Sequence, residues 1–100
     1  MIRHVVVISW RPEATPEQRQ RVSAELAGLP PLMRGIRAYS YGPDAGLAEG
    51  NGDFAIVADF EDAGAYLAYR DHPAHRDVIK RVIDPILARR TAVQIEIGEP

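Results

Sequence analysis

The sequence predicts a single α+β domain, over residues 1–100, in which helices cover one face of a four-stranded antiparallel sheet. The chain has 100 residues, which is the length of one domain. Four short segments are rich in β-branched and aromatic residues, and helix-start signals separate the first from the second and the third from the fourth. Two of these segments are apolar on both faces, so each needs a cover on both sides.

The first strand is predicted over Ile2 to Trp10. Its even-numbered residues, which include His4 and Ile8, share one face, and Val5 and Val7 lie on the other. Both faces are therefore apolar. Arg-Pro follows Trp10 and ends the strand.

The first helix is predicted to begin at about Pro16. Thr15 and Gln18 have the spacing of a capping box, and proline is favoured at the first helical position. Gly28 and the two prolines after Leu29 end the helix. The apolar stripe, at i, i+4 and i+7, consists of Val22, Leu26 and Leu29.

Two further strands are predicted in the middle of the chain. The second, Ile36 to Gly42, is rich in tyrosine, and the loop Pro43 to Gly52 follows it with three glycines. The third, Asp53 to Glu61, is the other strand with two apolar faces. Phe54, Ile56, Ala58 and Phe60 alternate with Ala55 and Val57.

The last third of the chain is predicted as two helices and a strand. Asp62 caps a short helix, and Pro73 opens a longer one that runs to about Leu87 and is kinked or ended by Pro85. The final strand is Thr91 to Ile97. The residues expected to face inward from the longer helix are Val78, Ile79, Val82, Ile83 and Ile86.

The order β-α-β-β-α-α-β is that of a ferredoxin-like fold, in which helices cover only one face of the sheet. The second apolar face then needs a partner. Two-fold symmetry makes the same face of a second copy the simplest cover. We therefore expect a homodimer that packs sheet face against sheet face.

Composition excludes several classes of function. Twelve Lys and Arg against fourteen Asp and Glu give a formal charge of −2, which does not favour a nucleic-acid partner. The absence of cysteine removes disulfides and thiolate sites. Apolar runs such as Val5 to Ile8 are too short to span a membrane, and no signal-peptide pattern opens the chain, so we expect a cytoplasmic location.

His75 is the strongest catalytic candidate. It shares a helix face with Val78, Ile79 and Val82, and that face points inward. Burial and the helix dipole both oppose protonation there, so a neutral imidazole could act as a base, with Tyr69 as a hydrogen-bond donor. The alternative is that His75 is only a structural hydrogen-bonding group and Tyr69 only a core residue.

The other two histidines allow a metal hypothesis. His4 lies on the strand face with Val6 and Ile8 and can reach the same cavity, and His72 is typical of a turn or helix cap. Three histidines are compatible with zinc, but His72 and His75 straddle a helix boundary and no carboxylate lies beside His4. We therefore predict neither a metal nor a cofactor.

Residues 70 to 90 form a charged segment that is interpreted as a solvated face. Asp77 with Arg81 and Lys80 with Asp84 have the i, i+4 spacing of helix ion pairs. The remaining charged residues of the segment are Arg70, Asp71, Arg76, Arg89 and Arg90.

The chain resembles the stress-responsive A/B barrel (Dabb) family over essentially its whole length. The resemblance rests on Met-Ile-Arg-His-Val-Val-Val at the start, Gly-Ile-Arg at 35–37, and His-Pro-Ala-His at 72–75 after Tyr-Leu-Ala-Tyr at 66–69. It implies a dimeric α+β barrel, in which two ferredoxin-like subunits pack sheet to sheet.

The family member with clear chemistry that the chain resembles is a plant polyketide cyclase, which closes a linear polyketide by aldol condensation without a cofactor. The resemblance implies His75 as the catalytic base, Tyr69 as its partner and His4 as the first-strand histidine. Leu26 and Ile79 depart from the tyrosine and glycine of that cyclase. The implied substrate-binding residues are Ile8, Val22, Leu26, Ile56, Ala58 and Ile79.

Three functions remain open from the sequence. The first is a cofactor-free acid–base enzyme acting on a small carbonyl compound, as a cyclase or isomerase, with a small apolar or aromatic ligand. The second is a non-catalytic stress-response or ligand-binding homodimer in which His75 and Tyr69 only hold the helices. The third is a cofactor-free monooxygenase.

Overall fold

The computed structural model describes residues 1–99 and contains one antiparallel sheet of strand order β2-β3-β1-β4. The strands are β1 (Ile2–Trp10), β2 (Ile36–Pro43), β3 (Phe54–Phe60) and β4 (Leu87–Glu96). The α-helices are α1 (Pro16–Leu26), α2 (Ala63–Asp71) and α3 (Pro73–Val78), with a short 3-10 turn at Pro30–Leu32. The ferredoxin-like order predicted from the sequence is confirmed.

The predicted helix caps are present. The Gln18 amide donates to the Thr15 hydroxyl at 3.1 Å, and the Thr15 amide donates to Gln18 Oε1 at 2.9 Å, which completes the capping box. The Ala65 amide donates to Asp62 Oδ1 at 2.8 Å and so caps α2. Each cap satisfies backbone groups that the first turn leaves unpaired.

The Pro73 helix differs from the prediction of one helix running to Leu87. Its α-helical part ends at Val78 and continues as a π-helical turn (Ile79–Ile83) and a 3-10 turn (Asp84–Ile86). Pro85 explains the change, since it has no amide to continue the ladder and fixes its own φ. The Asp84 amide instead bonds to the carbonyl of Ile79.

β4 begins at Leu87, four residues before the predicted start at Thr91. The segment 88–90 lacks apolar alternation, so pattern alone placed it outside the strand. Pairing with β1 extends the strand toward its start. Ile8 lies opposite Arg90, and Trp10 lies opposite Leu87 across a bulge. The early start brings Arg90 into the sheet.

The two faces of the sheet have different surroundings. The even-numbered residues of β1 lie under the helices, in a core with the alternating residues of β3 and the inward faces of the helices. The other face carries exposed apolar side chains, with Val7 42%, Val93 54% and Ile95 46% exposed. On this outer face Arg3 holds Asp59 of β3 through two hydrogen bonds of 2.7 and 2.9 Å.

No helix within residues 1–99 has the length and apolar character needed to cross a lipid bilayer.

Candidate functional site

His75 lies in the first turn of α3, against the ring of Tyr69 at the end of α2. The two ring centroids are 4.2 Å apart. His75 Nδ1 is 3.1 Å from the carbonyl oxygen of Arg70. Because a carbonyl only accepts, Nδ1 carries the hydrogen of the neutral ring and Nε2 carries the lone pair.

Nε2 of His75 is free to accept a proton. It has no hydrogen bond to any residue within 1–99, and no buried side-chain nitrogen or oxygen of those residues is left without a partner, so Nε2 reaches accessible space. Burial lowers the pKa of His75, and the positive charge of Arg90 lowers it further, against an opposing effect of the bond to Arg70. The imidazole is therefore neutral at pH 7.

Tyr69 is almost completely buried and its hydroxyl is 2.8 Å from that of Tyr39 on β2. Burial is the largest effect on both phenols and raises the pKa of each above its usual value. Both hydroxyls therefore stay protonated, and the pair can donate one hydrogen onward. The sequence pattern does not single out Tyr39, for which the tyrosine content of β2 is the only signal.

His4 occupies the centre of the sheet beside Tyr66, with 4.9 Å between the ring centroids. The Gln94 amide nitrogen lies 2.8 Å from His4 Nδ1 and donates to it, so Nε2 carries the hydrogen of this ring. Burial lowers the pKa of His4 to about 4, with further lowering by Arg90 and His75. The two neutral histidines thus present opposite groups: His4 an N–H and His75 a lone pair.

An internal cavity of about 30 Å³ joins these groups, with room for about two water molecules. His4, Tyr69 and His75 all line it, which brings together the three predicted catalytic residues. Its other lining residues are Val6, Ile8, Ile56, Ile79, Ile83, Asp84, Leu87 and Arg90.

The residues expected to bind substrate fall into two groups. Ile8, Ile56 and Ile79 line the cavity. Val22 and Leu26 of α1, and Ala58 of β3, are fully buried in the core and are not part of its lining. α1 packs directly on the sheet, so its inward side chains fill space that a larger pocket would need.

Arg90 lines the cavity, although the sequence pattern predicts a solvated helix face for it. It lies on β4 opposite Ile8, which places its side chain on the helix-covered face of the sheet. The Asp77–Arg81 ion pair of that segment is present at 3.1 Å, whereas Lys80 and Asp84 form no salt bridge among residues 1–99. The error follows from the misplaced start of β4.

His72 is the N-cap of α3, as its position in the sequence suggested. Its Nδ1 accepts from the Ala74 amide at 3.0 Å and so holds the start of the helix. Across residues 1–99, no three His, Cys, Asp or Glu side chains converge in an arrangement that could hold a metal ion.

Comparison with protein families finds a match over residues 2–97 to the model of the Stress responsive A/B Barrel Domain (Dabb). None of the curated proteins matches the chain in sequence. Among solved structures, a dimeric ferredoxin-like protein of unknown function from Thermobifida fusca is 42% identical with a TM-score of 0.89. That match covers 96% of this chain and 90% of the other.

More distant structures share the fold. A Dabb family protein from Mesorhizobium loti is 20% identical with a TM-score of 0.77, over 97% of both chains. A hydroxynitrile lyase from Passiflora edulis is 16% identical with a TM-score of 0.83, over 99% of this chain and 94% of the lyase. At these identities the likeness is one of fold.

The buried neutral His4 makes stability depend on pH. An unfolded His4 binds its proton near pH 6.5, whereas the folded one does so only near pH 4. The contribution of His4 to stability is therefore complete above pH 6.5 and is lost as the pH falls toward 4. In urea titrations from pH 7 to pH 4, we expect the wild type to lose roughly 1–2 kcal/mol more than His4→Gln.

The matched control is His72→Asn, which removes a histidine outside the cavity and keeps an N-cap acceptor. Its free energy of unfolding should change with pH in the same way as that of the wild type. The folded Asp59 has its pKa lowered by Arg3, so it contributes below this pH range. Parallel curves for the wild type and His4→Gln would contradict the buried neutral state of His4.

Proposed function

The chain belongs to the stress-responsive A/B barrel domain family, and from its site we propose a cofactor-free acid–base enzyme that acts on a small carbonyl compound. The observation that carries the proposal is the pair of opposite tautomers. His75 Nε2 holds a lone pair, while His4 Nε2 and the Tyr39–Tyr69 pair hold hydrogens at the same cavity. A base and donors in one apolar pocket suit proton abstraction beside a carbonyl.

In the proposed reaction, the C–H bond next to the carbonyl breaks and its proton passes to His75 Nε2. The electron pair of that bond moves toward the carbonyl oxygen, which becomes an enolate oxygen. The hydroxyl of Tyr69 and the N–H of His4 stabilise this developing charge in a site of low polarity. The phenol suits this role because burial keeps it protonated.

The enolate then has two outcomes. Its carbon can attack a second carbonyl carbon in the same molecule, which forms a C–C bond as in aldol cyclisation, and the proton on His75 neutralises the new alkoxide. Alternatively, the proton returns at a different position and the substrate is isomerised. In both cases His75 ends neutral, so the cycle consumes no other reactant.

The volume of the cavity limits the part of the substrate that enters it to a small group. About 30 Å³ holds a methyl ketone end but no extended polyketide chain. Leu26 and Ile79, the two positions where the chain departs from the cyclase pattern, are large apolar residues. Ile79 narrows the cavity directly, since it lies in the lining. The substrate is therefore smaller than that of a polyketide cyclase.

A second candidate function is a small-ligand-binding homodimer without catalysis. The small volume of the internal cavity favours this function. So does the bond from His75 to the Arg70 carbonyl, because it also fixes α3 to the end of α2. The two functions differ in turnover, which the experiment below measures.

We also propose that two copies pair through the outer sheet face. Val7, Val93 and Ile95 are 42–54% exposed there, in a cluster that water solvates poorly. The similar protein from Thermobifida fusca, 42% identical to this chain, is dimeric. A second copy of the same face would cover the cluster with two-fold symmetry.

The catalytic proposal predicts deuterium exchange at carbon next to a carbonyl. Proton NMR in D₂O would follow acetylacetone, methyl acetoacetate and acetoacetate with the wild type, His75→Gln and Tyr69→Phe. We expect His75→Gln to slow exchange by about 10²-fold or more, through loss of the base. Tyr69→Phe should slow it by about 10²-fold, through loss of a donor.

The pH profile separates a base from a structural histidine. Because the pKa of His75 is lowered, wild-type exchange should be flat above pH 6.5 and fall at lower pH as the ring is protonated. His72→Asn serves as control, and circular dichroism checks the fold of each variant. Wild-type exchange no faster than buffer, or an unchanged rate in folded His75→Gln, would sink the catalytic proposal.

The dimer proposal predicts that a charge on the outer face separates the copies. Val93→Glu should shift the protein from dimer to monomer in light scattering after gel filtration, because it buries an unpaired carboxylate in the interface. Leu67→Glu, at a residue of 43% exposure on α2, is the matched control and should remain dimeric. A wild type that is monomeric at micromolar concentration would contradict the proposal.

A further inference from the structure

The internal cavity adjoins a larger surface cleft of about 730 Å³. The two spaces share His75, Ile79, Asp84 and Arg90 in their linings. These four residues therefore stand at the mouth between cleft and cavity. A substrate that places its carbonyl end in the cavity extends past them into the cleft.

The cleft is locally cationic in a chain of formal charge −2. Two of its charged residues are neutralised, Arg70 by Asp71 at 2.9 Å and Asp77 by Arg81 at 3.1 Å. Among residues 1–99, three cations of the cleft and one carboxylate have no salt-bridge partner within 4.0 Å. They are Arg76, Lys80, Arg90 and Asp84.

Arg90 is distinguished from the other two cations by its position. It is the one cation among residues 1–99 that lines both the cleft and the internal cavity, whereas Arg76 and Lys80 line the cleft alone. β4 delivers it on the same face as Gln94, which holds His4. β4 therefore carries the Arg90 guanidinium and the Gln94 amide, which hydrogen-bonds His4, four residues apart along one edge of the site.

We propose that the site takes a small oxo acid, a carbonyl compound that carries a carboxylate, and that Arg90 binds the carboxylate at the mouth of the cavity. A planar guanidinium matches a carboxylate with two parallel hydrogen bonds. The carbonyl and the adjacent carbon then lie inward, against Tyr69 and His75. This inference rests on the proposed function and names its substrate class.

The volume of the cavity and the positive charge of the cleft both favour a small oxo acid as substrate. The cavity accepts only the short carbonyl end, so the part of the substrate beyond the mouth meets the cationic cleft. A short oxo acid carries its carboxylate a few bonds from its carbonyl, so the carboxylate lies on the cleft side when the carbonyl end occupies the cavity. Asp84 at the mouth has no partner and disfavours a substrate with a second negative charge.

The test compares acetoacetate with methyl acetoacetate, its uncharged ester of nearly the same shape. Affinities come from NMR chemical-shift titration of the whole protein, so the readout does not need turnover. We expect the wild type to bind acetoacetate about 10-fold or more tightly than the ester. Arg90→Gln should weaken acetoacetate binding by about 10- to 100-fold and leave the ester unchanged, as expected for a charged hydrogen-bond pair.

The matched control is Arg76→Gln, which removes a cation from the cleft but not from the cavity. It should weaken acetoacetate binding by about threefold at most, since it acts through the screened field alone. Equal binding of acid and ester, no binding of acetoacetate, or equal effects of the two variants would overturn the inference. Fold is checked for both variants by circular dichroism.

The outcomes separate this inference from the proposed function. Deuterium exchange in the ester as fast as in the acid would uphold the enzyme and overturn the role of Arg90. Binding of acetoacetate that depends on Arg90, without exchange, would uphold the substrate class and contradict catalysis.

Discussion

The register of β1 between β3 and β4 determines which side chains form the core, the candidate site and the outer face of the sheet. It places His4 opposite Gln94, and Ile8 opposite Arg90. A slip of one residue would turn His4 and Ile8 to the outer face and move Val5 and Val7 under the helices. The site, the core and the apolar outer face would be lost together.

Side chains alternate between the two faces of β1, so this one strand contributes both to the cavity and to the outer face of the sheet. Residues of one parity line the internal cavity, and residues of the other parity lie on the outer face, where we propose that a second copy binds. The bidentate pair between Arg3 and Asp59 lies on that outer face and ties β1 to β3 at a defined register. Burial beneath the helices then keeps His4 and His75 neutral, which is the condition for one to donate and the other to accept.

Local signals were sufficient for most of the fold and for three residues of the site. The capping box at Thr15, the Asp62 cap and the alternation in β1 act over a few residues, so they can be read without tertiary information. His4, Tyr69 and His75 were found because each is a chemically distinctive residue on an apolar face. Their common cavity confirms the predicted faces, while their catalytic roles stay a prediction.

Contacts between distant segments determined what the sequence did not reveal. Tyr39 acquires its role only through the hydroxyl of Tyr69, thirty residues away. From the sequence, Arg90 is predicted to be solvated. It lines the cavity because β4 pairs with β1 at this position. Val22 and Leu26 have the spacing of lining residues and of core residues alike, and only the packing of α1 on the sheet distinguishes the two. Nitrogen-detected NMR of the His75 ring across pH 4 to 8 would test its proposed role as the base. We expect a neutral ring with the hydrogen on Nδ1 and a titration midpoint below pH 6.5. A hydrogen on Nε2, or a midpoint above pH 6.5, would contradict that role.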